Sequence, residues 1–104
     1  MGEREGQRGG QVLEKTRQKT ERPPLFRVIL HNDDYTPMDF VVTLLEGLFA
    51  KSPAEAHQIM MSVHVRGSGI AGTYPHEVAE TKVSTVHELA RSAGHPLRAS
   101  LEPE

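Results

Sequence analysis

The feature that most limits what this chain can fold into is a break at a proline pair. Residues 1–24, which end in Pro23-Pro24, carry only Met1, Val12 and Leu13 as apolar side chains, whereas residues 25–104 carry 35. The first segment cannot bury enough apolar surface to offset the entropy of ordering it. It is therefore expected to be a disordered N-terminal extension, leaving about 80 residues for one modest core. The charge splits in the same place. Residues 1–24 hold six basic and four acidic side chains, and residues 25–104 hold six against ten. A general nucleic-acid binder shows a basic excess, and this chain, with a formal net charge of −2, has none. The absence of cysteine excludes disulfides, thiol nucleophiles and cysteine-ligated metals, and fits a cytosolic protein. No apolar run reaches the roughly 18–20 residues of a membrane span.

Within residues 25–104 the hydrophobic period changes from element to element. Leu25 to Leu30 is a short β-branched run and reads as a strand. A polar stretch rich in turn formers, His31 to Pro37, follows it. Thr36, Pro37 and Asp39 then have the spacing of a capped helix start, with Thr36 as N-cap and Asp39 as the acid of a capping box. Phe40, Val41, Leu44, Leu45, Leu48 and Phe49 continue at helical spacing. Ser52-Pro53-Ala54-Glu55 repeats the start signal, and Ala56, Ile59, Met60 and Val63 run to a stop at Gly67. The stretch from Gly69 to Tyr74 reads as a strand and His76 to Ala93 as a third helix, ended by Gly94 and Pro96. Leu97, Ala99 and Leu101 alternate as in a half-buried strand. The order β-α-α-β-α-β predicts an α+β sandwich, with three helices on one face of a small antiparallel three-stranded sheet.

No residue type or spacing points to catalysis. His76-Glu77-Val78-Ala79-Glu80 lacks the second histidine of a zinc-protease helix, so a hydrolase built on His76 and Glu80 is a distant reading. The remaining histidines lack metal-ligand spacing, and Gly67-Ser68-Gly69 lacks the Lys-Ser/Thr of a phosphate loop. No catalytic residue, metal or cofactor is expected. The polar loop 31–37 places two adjacent carboxylates and an amide beside apolar helices, a setting that suits a cation at the edge of a hydrophobic groove. On loop chemistry alone an ordinary strand-to-helix turn is the simpler reading. Met38, Met60 and Met61 are read first as core filling, with an adaptable pocket as the alternative.

Four blocks together are more specific. Asn32-Asp33-Asp34-Tyr35-Thr36-Pro37-Met38-Asp39-Phe40-Val41, then Val63-His64 with Gly67, then Glu77-Val78-Ala79-Glu80-Thr81-Lys82-Val83, and finally His95-Pro96-Leu97 occur in the order and spacing of the ClpS adaptor family, which the chain resembles from about residue 25 to its end. The resemblance implies a cytoplasmic, monomeric adaptor that binds proteins whose first residue is Leu, Phe, Tyr or Trp and delivers them to a ClpA-type AAA+ unfoldase. It implies no part for nucleic acid or membrane. It also implies that Asn32, Asp33, Asp34 and His64 surround the substrate's α-amino group. Leu30, Thr36, Met38, Val41, Met60, Val63 and Leu97 would form a hydrophobic pocket, with Met38 excluding β-branched side chains. Glu77 and Lys82 would face the unfoldase, and residues 1–24 would be the segment it engages. His31, Met61, Ser62, Pro75 and Arg98-Ala99 depart from the family's usual residues. The competing reading is a domain of similar fold that binds another AAA+ or ribosomal partner. Such a domain would have no need of Asn32, Asp34 and His64 together.

Overall fold

The structure, a computed structural model, describes residues 23–104. The elements run β1 (Leu25–His31), α1 (Met38–Gly47), α2 (Pro53–Arg66), β2 (Ser68–Pro75), α3 (His76–Ala93) and β3 (Arg98–Pro103). The expectation of a disordered extension falls, for residues 1–22, outside the described residues.

The three strands form one antiparallel sheet, as the sequence predicts, and the structure adds their order, β2-β1-β3. Alternation sets its two faces. Val28 and Leu30 of β1, with Ala71 of β2 and Ala99 of β3, are buried against the helices. The opposite face carries Arg27 paired with Glu102 at 3.5 Å, and His31 bonded through Nε2 to the Ser100 hydroxyl at 2.7 Å. Between Val28 and Ile29 the pairing with β2 slips by one residue, which leaves Ala71 as a bulge. The core is completed from the helices by Val41, Leu44 and Leu45 of α1, Ala56, Met60 and Val63 of α2, and Ala79, Val86 and Ala90 of α3.

Helix α2 begins as its sequence dictates. Ser52 accepts the Glu55 N–H at 3.2 Å, and the Glu55 carboxylate accepts the Ser52 N–H at 3.0 Å. That backbone bond, more than any other contact, holds the Glu55 carboxyl below its ordinary pKa. The helix ends at Gly67, whose φ of 94° closes it with a bond from its N–H to the Val63 carbonyl. Here α2 lies directly on β2: a Cβ on Gly69 would stand 2.9 Å from Val63 Cγ2 and 3.1 Å from the Ile59 carbonyl oxygen. This close approach fixes the faces of α2 relative to the sheet.

Several boundaries differ from the sequence reading: β1 takes in His31, β2 is one residue longer at each end, and the larger differences are at α1 and β3. Helix α1 starts one residue later, with Pro37 and not Thr36 as N-cap, and no side chain caps it. It also stops at Gly47. Beyond it the chain turns through Ala50 at φ 53°, which seats Phe49 in the core beside Tyr74 outside the helix. Strand β3 begins at Arg98 and runs to Pro103, so Leu97 precedes it, still buried.

Candidate functional site

The loop Asn32–Pro37 joins β1 to α1 and is built around one side chain. Asp33 Oδ1 accepts the backbone N–H of Tyr35 at 2.8 Å and of Thr36 at 2.7 Å, while Oδ2 accepts the Thr36 hydroxyl at 2.7 Å. Partial burial pushes the Asp33 carboxyl pKa up, but the Thr36 hydroxyl, the two N–H groups and the charge on His95 outweigh it. The carboxyl ends below its ordinary value. These bonds also explain the missing cap. They hold Thr36 in the loop, so that Pro37, whose side chain can neither donate nor accept, occupies the N-cap, and its carbonyl accepts the N–H groups of Phe40 at 3.1 Å and Val41 at 3.4 Å. The loop is tied to α2 as well, since the Asn32 N–H donates to the Gly67 carbonyl at 3.0 Å.

Between this loop and α2 lies a hollow of about 370 Å³. Its apolar wall is Val41 of α1 with Met60 and Val63 of α2, all buried members of the core. Its rim is Asn32, Asp33, Asp34, Tyr35, Thr36, Pro37 and Met38 on one side and His64 on the other. The geometry thus brings together four residues expected to be polar (Asn32, Asp33, Asp34, His64) and five expected to be apolar contacts (Thr36, Met38, Val41, Met60, Val63). Asn32, Asp34 and His64 are exposed. Asp33 stands apart from them because its carboxylate already accepts three bonds within the loop. Such a site can hold a compact cation at its rim while an apolar side chain fills the space behind it, since the ammonium keeps charge-assisted bonds and the side chain leaves water.

Two of the expected pocket residues lie elsewhere. Leu30 is fully buried in the core beneath the site and does not line the hollow. Leu97 is buried and lines a separate hollow between α3 and β3. His31, though next to Asn32 in sequence, turns to the far face of the sheet and Ser100. Ser62 donates its hydroxyl to the Ser68 carbonyl at 3.0 Å, and neither it nor Met61 lines the site. Conversely, Tyr35 stands at the rim 79% exposed, and the sequence reading gave it no role. The available signal was an aromatic side chain placed among turn formers.

Glu77 and Lys82 share a hollow of about 360 Å³ with Leu48, Val78, Thr81 and Thr85 on the outer side of α3. The Lys82 ammonium is turned inward. It donates to the Leu48 carbonyl at 2.8 Å and lies 5.8 Å and 5.5 Å from the ring centroids of Phe49 and Tyr74. His76 and Glu80 approach to 3.7 Å, but among the described residues no three histidine or acidic side chains are grouped to hold a metal ion. No helix among the described residues is long and apolar enough to cross a membrane.

Comparison with known proteins adds to this geometry. The family model described as ATP-dependent Clp protease adaptor protein ClpS matches residues 21–100. The chain is 58% identical over 95 residues to the ATP-dependent Clp protease adapter protein ClpS of Desulfatibacillum aliphaticivorans, covering 91% of each. It is 54% identical over 94 residues to the adapter of the same name from Deinococcus radiodurans, covering 90% of this chain and 81% of that one. Its fold matches the structure of Agrobacterium tumefaciens ClpS2 bound to L-phenylalaninamide with a TM-score of 0.76 and 40% identity, over 80% of this chain and 100% of that one. The chain belongs to the ClpS family, adaptors of the Clp protease and not proteases themselves.

Proposed function

We propose that this protein binds chains by their first residue, when that residue is bulky and hydrophobic (Leu, Phe, Tyr or Trp), and delivers them to a ClpA-type AAA+ unfoldase for degradation. The observation that carries the reading is the juxtaposition, in one hollow, of an apolar wall with the amide of Asn32, the carboxylate of Asp34 and the imidazole of His64. An α-amino group has a pKa near 7.7–8.0 and is largely protonated at neutral pH. Asn32 and Asp34 supply oxygens for that ammonium, and a ring nitrogen of His64 supplies a further acceptor. An internal residue offers only a neutral amide at the same place, so the site distinguishes a chain end from a side chain. The side chain of the first residue lies against Val41, Met60 and Val63. Met38, 40% exposed at the mouth, crowds a substrate branched at Cβ. Asp33 shapes the loop through its own bonds while Asp34 meets the ligand. The ligand in the Agrobacterium structure, phenylalaninamide, is an aromatic residue with a free amino group, which suits this reading.

In the same reading residues 25–104 form the adaptor core, and residues 1–24 are the segment the unfoldase engages. Glu77 and the neighbouring Val78, exposed on α3, meet the unfoldase's N-terminal domain. Lys82 acts from behind them by bracing the end of α1. The test is a binding titration of two Phe-initiated peptides that differ only in N-terminal acetylation. The free amine should bind at least about thirtyfold more tightly, the equivalent of ~2 kcal/mol. Equal affinities would refute the assignment.

A further inference from the structure

Side chains that carry or can take a positive charge converge where α3 gives way to β3. A hollow of about 340 Å³ there is lined by His87, Arg91, His95, Pro96, Leu97 and Arg98. This clustering runs against the composition, because residues 25–104 hold only six Lys and Arg against ten acids. Of those six, Arg27 is paired with Glu102 and Lys82 is bonded to a backbone carbonyl. Arg91 and Arg98 are both exposed, and neither forms an ion pair among the described residues.

The backbone holds the two arginines in a set relation. Gly94, at φ 78°, closes α3 with a bond from its N–H to the Arg91 carbonyl at 3.1 Å, and the His95 N–H bonds the Ala90 carbonyl at 2.8 Å. Only four residues after Gly94, β3 begins with Arg98. His87 Nε2 accepts the Ala99 N–H at 3.0 Å, so the ring carries its proton on Nδ1 and keeps a neutral donor there. The His95 ring is held edge-on against Phe40, with centroids 4.8 Å apart. His95 favours the charged form of Asp33, whose oxygens accept from Tyr35 and Thr36. Buried Leu97 and exposed Pro96 add an apolar side to the hollow.

We propose that this hollow binds a phosphoryl oxyanion, with Arg91 and Arg98 as its two guanidinium clamps. Guanidinium forks match the geometry of phosphate oxygens and hold them bidentately. Attraction by net charge is excluded as the cause, because this part of the chain is acidic. The same chemistry serves a free polyphosphate or a phosphorylated side chain on a protein segment, and the experiment separates these sources.

The full chain, labelled with ¹⁵N, is titrated at constant ionic strength with tripolyphosphate and, separately, with a phosphoserine peptide and its unphosphorylated form. Saturable shifts confined to the amides of residues 87–99 are expected with one or both phosphorylated probes. Response to tripolyphosphate alone assigns a free ligand, and response to the phosphopeptide assigns a protein-borne one. Arg91→Gln and Arg98→Gln should each weaken binding roughly tenfold or more. Arg98→Lys, which keeps the charge and loses the fork, should recover part of that loss. A response spread equally to Lys51 and Arg66, affinity unmoved by both glutamine variants, or no saturable response to either probe would overturn the proposal.

Discussion

Two helix starts in this domain carry nearly the same sequence pattern and fold differently. Ser52-Pro53-Ala54-Glu55 forms a complete capping box, in which every bond is local and the helix begins where the pattern says. Thr36-Pro37-Met38-Asp39 has the same hydroxyl, proline and acid at the same spacing, yet its helix starts one residue late and without a side-chain cap. The difference lies three residues upstream. Asp33 takes the Thr36 hydroxyl and the N–H groups of Tyr35 and Thr36 for a loop of its own, and that loop forms the rim of the candidate site. The start at Ser52 is optimised for the helix. The start at Thr36 gives up a cap to hold Asn32, Asp34 and Tyr35 in place around a hollow. Departures from local rules concentrate where a chain has a second task.

Substitutions at four positions test this contrast. The largest effect is expected from Asp34→Ala, which removes a charge from the rim without touching the bonds of Asp33. Affinity for a free-amine Phe peptide should fall by about thirtyfold or more. Binding of the acetylated peptide should barely change, and far-UV circular dichroism should report an intact fold. Next is Met38→Ala, which opens the mouth. Ile- and Val-initiated peptides should gain on the order of tenfold while Phe changes little. Continued rejection of Ile would place the restriction deeper, at Val41 or Met60.

Asp33→Ala comes third, because it dissolves the loop's anchor. A loss of about 1–2 kcal/mol in chemical denaturation is expected, together with weaker peptide binding; Asp33→Asn, which keeps an acceptor oxygen, should lose less. The pH dependence carries a definite sign. The carboxyl pKa is lower in the folded protein, so its stabilisation is complete above the ordinary aspartate range near 3.9 and disappears as pH falls through the lower folded value. The Tyr35 and Thr36 amide resonances should therefore titrate together with a midpoint below that of a free aspartate. A midpoint at or above it would show that the three bonds do not favour the charged form. The smallest effect should come from Ser52→Ala, at about 1 kcal/mol and a few degrees in Tm. Peptide affinity should stay unchanged, since that cap serves its helix alone. A Ser52→Ala variant with weakened peptide binding would erase the distinction between the two starts.

What was legible in the sequence follows the same division. Strand β1, the start and stop of α2, the span of α3 and the order of the elements could be read directly, because period, caps and glycines agree there. The start of α1 was misread because spacing cannot show that Asp33 ties Thr36 into the loop and leaves Pro37 as the N-cap. Phe49 fits the helical period yet lies past the helix, because a reversal at Ala50 brings it to the core by another route. At the site, helical spacing fixes the apolar face of Val41, Met60 and Val63, while their place in a pocket came from the family resemblance alone. The same resemblance put Leu30 and Leu97 in the pocket; both lie outside the hollow, and alternation along a strand gives a face without saying how deep a residue sits beneath the surface. His31, read as part of the polar loop, is the last residue of β1. Adjacent strand residues point to opposite faces, and its neighbourhood to Asn32 in sequence does not survive in space.

The central claim is that the loop–α2 hollow reads a free α-amino group and the side chain attached to it. Amide chemical-shift mapping of the full chain with L-phenylalaninamide, against N-acetyl-phenylalaninamide at the same concentrations, tests it most directly. Saturable shifts are expected with the free amine, clustered at residues 32–38 and 60–64 and reduced in Asp34→Ala, with no comparable response to the acetylated compound. Equal responses to both compounds, or shifts centred away from these two segments, would contradict it.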